Sequence, residues 1–77
     1  MDKQVYKIIT EVWKITKQWL QMDWSKDKSW MQMREDCTRV YKSLETEDEL
    51  INDFASDLIV MATKLIEDDA KRKGVTT

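Results

Sequence analysis

Histidine and proline are absent from this chain of 77 residues, and glycine and cysteine occur once each. Each absence removes a class of chemistry. Without histidine there is no imidazole to act as a general base or to complete a Cys/His zinc set. The lone Cys37 cannot close an intramolecular disulfide. With Gly74 as the single glycine there is neither a Gly-rich phosphate loop nor a G-x-S-x-G turn. No apolar run approaches the roughly 20 residues that cross a bilayer, and the acidic Asp2 stands where a leader would need an apolar or basic start. These omissions lead to the expectation of an intracellular, cytoplasmic, reduced protein with no membrane contact, no cofactor, no metal and no enzymatic activity.

What is present favours helix. Charged residues make up 36% of the chain and apolar ones 42%, a mixture too rich in aliphatics and aromatics for disorder. Net charge is only −2, but it is unevenly placed. Up to Lys28 the lysines Lys3, Lys7, Lys14, Lys17, Lys26 and Lys28 outnumber the acids, whereas from Glu45 to Asp69 a series of acids faces Lys64 alone. The two halves should therefore attract each other at low salt.

The segment from Thr46 to Gly74 has its start, its face and its stop written in it. Thr46 and Glu49 fit a capping box, Glu47, Asp48 and Glu49 sit at the positive end of the helix dipole, and Lys71, Arg72 and Lys73 sit at the negative end before Gly74 as C′. Between them an apolar arc of about 180° runs from Leu50 and Met61 at one border to Ile59 and Ile66 at the other. A first helix, with Asp2 as N-cap, carries Val5, Ile8, Val12, Ile15, Trp19 and Met22 as a heptad seam, widened by Ile9, Trp13 and Leu20. A second, opened by a capping box of Ser29 and Gln32, has only a narrow stripe of Trp30, Met33, Cys37, Val40, Tyr41 and Leu44.

The expected architecture is a single all-α domain over residues 1–77, an up-down-up three-helix bundle with short connections and a long third helix. The helices are expected at about 3–22, 30–44 and 47–72, with Val75 to Thr77 frayed. A chain this short buries only about 60% of its unfolded surface, and the short middle helix cannot cover both wide arcs of its neighbours. Self-association through the first and third helices would cover them, which makes Ile9, Trp13, Leu20, Ile51, Ala55, Ile59, Ala62 and Ile66 candidates for a homodimer interface.

Other constellations carry less. Asp23, Ser25, Asp27 and Ser29 alternate as in an EF-hand loop, but Lys28 stands where the turn needs glycine and Arg34 where a bidentate glutamate belongs. Cys37 lies on an apolar stripe and reads as an inert core thiol. Glu49, Asp53, Asp57 and Glu67 form a one-signed row on the third helix that could imitate nucleic-acid phosphates. Trp13 and Trp24, among Lys14, Lys17, Lys26 and Lys28, could stack on single-stranded bases, although overall acidity disfavours nucleic acid as a partner. The expected function is a small acidic, non-enzymatic protein–protein interaction module working as a homodimer. The alternatives are an inhibitor or mimic that blocks a nucleic-acid-binding protein through the acidic row, and a single-strand binder.

Overall fold

A computed structural model describes residues 1–74 and contains three α-helices: α1 (Asp2–Leu20), α2 (Asp27–Leu44) and α3 (Glu49–Arg72). The expected fraying of Val75 to Thr77 lies outside the described residues. At 1.5 Å per residue the helices are about 29, 27 and 36 Å long, and they pack into a body of 40 × 19 × 17 Å. All three pairs are in contact, α1 with α3 most extensively. The middle helix is thus nearly as long as α1, longer than its sequence pattern suggested.

All three expected N-terminal caps are replaced by other devices. Asp2 lies within the first turn of α1 rather than capping it, and Met1 takes the N-cap place without a side-chain bond. Ser29 does not open α2, because α2 already begins at Asp27. Its hydroxyl instead donates to the Asp23 carbonyl at 2.6 Å, while the Asp23 carboxylate accepts from the Ser25 N–H at 3.0 Å and hydroxyl at 2.6 Å. Asp23 to Ser29 is therefore a hydrogen-bonded turn that starts the helix early. Gln32 reaches forward to Asp36, not back to Ser29.

At α3 the cap is Asp48, whose carboxylate accepts from the Leu50 N–H at 3.0 Å. Thr46 pairs with Asn52 rather than Glu49: its N–H donates to Asn52 Oδ1 at 2.8 Å, and Asn52 Nδ2 donates to its carbonyl at 2.8 Å. The helix starts two residues later than its capping pattern implied. At the other end the expected stop holds, with Gly74 at φ +87°, a left-handed conformation that glycine adopts without steric cost.

The core uses one stripe of each helix. Along α3 it reads Ile51, Ala55, Ile59, Ala62, Ile66, Ala70, alternating large and small side chains at steps of three and four. The alanines let neighbouring helices approach, and the isoleucines fill the space between. From α1 come Ile8, Val12, Ile15 and Trp19, from α2 Met33, Val40 and Leu44, and from the first connection Trp24. Trp19 is the largest fully buried side chain among the described residues, 0% exposed.

Candidate interaction surface

The apolar arcs of α1 and α3 are wider than the core needs, and the structure divides each in two. On α3 a second stripe, Leu50, Phe54, Leu58, Met61 and Leu65, lies roughly 110° around the helix from the core stripe. All but Leu58 are exposed, Met61 at 65%. On α1 the corresponding stripe is Ile9, Trp13 and Leu20, all exposed, Trp13 at 55%. The two stripes wall one open groove of about 420 Å³, with Ile9 and Trp13 facing Leu58, Met61 and Leu65 over a floor of Val12, Thr16 and Ala62. No residue of α2 lines it. The floor hydroxyl is already satisfied, since Thr16 Oγ1 donates to the Val12 carbonyl at 2.6 Å. The groove therefore presents apolar contact without an unpaired polar group. At its edge Lys17 Nζ lies 5.6 Å from the centre of the Trp13 ring, a cation–π contact.

This division corrects the interface expected from sequence. Ile51, Ala55, Ile59, Ala62 and Ile66 are buried within the single chain, so their side chains are already in use. The arc was wide enough to hold two functions, and periodicity alone does not say which half faces inward. Ile9, Trp13 and Leu20 remain on the surface, and they are joined by Met61, Leu65 and Phe54.

Three tryptophans form a different structure. Trp24 is buried, its indole N–H donating to the Trp19 carbonyl at 2.7 Å, and the Trp30 indole donates to the Trp24 carbonyl at 2.8 Å. Their rings lie 4.8 Å apart, tilted at 59°. Trp24 thereby adds a side-chain donor to a carbonyl at the end of α1 that also accepts from the Met22 N–H at 3.1 Å. It is not available to stack on a base, and it shares no platform with Trp13.

The polar group that sequence reasoning missed is Asp36, 4% exposed in the contact between α1 and α2. Its carboxylate accepts from the Trp19 indole at 3.0 Å, from Gln32 Nε2 at 3.0 Å and from the Arg39 guanidinium at 2.8 Å. Burial pushes its acidity toward the neutral form, but the donors from Arg39, Trp19 and Gln32 outweigh that and hold it below the ordinary carboxylate value. Both carboxylate oxygens accept from structural donors, which makes Asp36 a joint rather than a reagent. A signal was present: Ser29, Met33, Asp36 and Val40, all buried, step by four, three and four. The hydrophobic stripe read from sequence is rotated away from this seam because two of its members are polar.

Cys37 is half-buried rather than enclosed, beside an open groove between α2 and α3 that Tyr41 and Val60 also line. Burial, with the charge of neighbouring Asp36, pushes its thiol up, so it stays protonated at neutral pH and is a poor nucleophile. Glu49, Asp53, Asp57 and Glu67 are exposed and unpaired among the described residues, but Val60, 60% exposed, lies between them on the same side of α3. No helix is long and apolar enough to cross a membrane among the described residues. The chain matches no protein-family model, no curated protein and no solved structure.

Proposed function

We propose that this chain is a non-enzymatic protein–protein interaction module that works as a homodimer through the groove between α1 and α3. In this reading consecutive helices alternate in direction, up-down-up, so that α1 and α3 run parallel and present one face away from α2. The observation that carries it is the contiguous, exposed apolar surface of Ile9, Trp13, Met61 and Leu65, continuous across two helices and free of unsatisfied polar groups. Scattered exposed apolar residues are ordinary, whereas a walled groove of them marks an association site. The lone thiol Cys37 suits a reducing cytoplasmic setting.

The test is the mass in solution, by light scattering after size exclusion over a range of concentrations. The unaltered chain should show a dimer mass, and Trp13→Glu or Met61→Glu should give a monomer with undiminished helical circular dichroism. A mass unchanged by either substitution would sink the assignment of this face.

A second reading is supported by the lack of ion partners for Glu49, Asp53, Asp57 and Glu67 among the described residues. As a nucleic-acid mimic, the chain would use this row to block a basic groove on another protein, in salt-sensitive competition with DNA or RNA. Val60 in the row argues against it, because phosphate imitation needs an unbroken anionic strip.

A further inference from the structure

The two rims of the groove carry opposite charge. On the helical wheel the positions beyond Trp13 on α1 are taken by Lys17, Lys3 and Lys14, and those beyond Met61 on α3 by Asp57, Asp53 and the pair of Lys64 and Asp68. Lys14 is drawn to Glu11 and Lys64 to Asp68, at 3.4 and 2.8 Å, whereas Lys3, Lys17, Asp53 and Asp57 have no ion partner among the described residues. Apart from Asp2 on the first turn of α1 and Lys71 on the last turn of α3, the free charges are therefore basic on one edge and acidic on the other.

A two-fold dimer that closes this face can be built in two ways. With the axis across the helices, α1 meets the partner's α1 and α3 meets its α3, antiparallel, so that lysine rim opposes lysine rim and acidic rim opposes acidic rim. With the axis along the helices, α1 of each copy lies over α3 of the other, and both rims meet their opposites. Like charges set against each other cost free energy and opposite ones select register.

Resting on the reading of the groove as a self-association surface, we infer that the second copy docks with α1 of one protomer over α3 of its partner, parallel, so that Lys3 opposes Asp53 across each rim. The register follows from the groove. Residues 9 to 16 of α1 and 58 to 65 of α3 wall the same stretch, which puts Lys3 level with Asn52 and Asp53, and Lys17 level with Ile66 to Asp68. An axis along the helices preserves those levels between copies. Two helices side by side offer a face of roughly 20 by 30 Å, on the order of 600 Å² per partner, which places the dimer at the lower edge of specific interfaces. Rim charge then decides orientation, because the apolar centre fits either arrangement.

Charge reversal separates the possibilities. Sedimentation equilibrium at low salt is measured for the unaltered chain, for Lys3→Glu with Lys17→Glu, and for Asp53→Lys with Asp57→Lys. Each double variant alone should dimerise about tenfold more weakly, since two-fold symmetry repeats every reversed contact. Equal mixtures of the two should form a heterodimer near the original strength, with the differences shrinking as salt is added. If either variant dimerises as tightly as the unaltered chain while Met61→Glu still abolishes the dimer, like lies on like and this orientation falls while the groove reading stands. If Met61→Glu leaves the dimer intact, or the unaltered chain is a monomer throughout, the groove reading itself falls.

Discussion

Asp36 links sequence to stability more tightly than any other single side chain here. It accepts from the indole N–H of the fully buried Trp19 and ties α2 to α1 in doing so. Replacing it with alanine leaves that N–H without a partner, and urea unfolding should show a loss of about 1–3 kcal/mol; asparagine, which keeps one acceptor oxygen, should lose less. Its folded-state acidity lies below that of an unfolded carboxylate, so its contribution is complete above the unfolded value and is lost as pH falls through the lowered one. Stability of the unaltered chain should thus decline below about pH 4, and Asp36→Asn should decline less steeply over the same range. Asp23, Asp68 and Asp69 are also held low, Asp69 by Lys73 and then Arg72, and they contribute equally to both curves. An unaltered slope in the variant would show that Asp36 is not the group responsible. That a core tryptophan needs an acceptor is evident from sequence; that the acceptor is an aspartate seventeen residues away is not, because a buried carboxylate breaks the apolar pattern by which cores are found.

At the scale of the element, the turn into α3 makes the sharper case. Its sequence satisfies two capping schemes at once, and Thr46–Glu49 is the more familiar pattern. Asp48 is closer to the first free N–H groups, however, and Asn52 can bond both the N–H and the carbonyl of Thr46, a pairing Glu49 cannot make. Glu49→Ala should therefore change the thermal midpoint little, by the few tenths of a kcal/mol of a dipole contact. Asp48→Ala should cost about 1 kcal/mol as a lost N-cap, and Asn52→Ala a comparable amount. A Glu49 effect as large as that of Asp48 would restore the capping box. Helix number, order and extent to within three residues were legible because apolar periodicity is redundant over many positions. The N-terminal caps were not, since each rests on one or two hydrogen bonds among several competing acceptors.

For the whole molecule, size is the constraint that makes the groove matter. A body of this size has one thin core, here built largely from the Ile–Ala stripe of α3 and four residues of α1, and domains of this length are marginal without a further source of stability. If a second copy supplies it, folding and association are linked, and the thermal midpoint must rise with protein concentration. Two substitutions separate the layers of this dependence. Trp13→Glu alters only the groove wall, so it should leave a folded helical monomer whose midpoint is lower and no longer varies with concentration. Ile59→Glu places a charge in the buried core stripe and should abolish helical signal at every concentration rather than merely dissociate a dimer. From the sequence the two positions are equivalent, both lying on wide apolar arcs; the fold makes one a wall of the groove and the other part of the core. Circular dichroism melts over a hundredfold range of concentration distinguish the cases. A Trp13→Glu midpoint that still climbs with concentration would mean that association runs through a surface other than the groove.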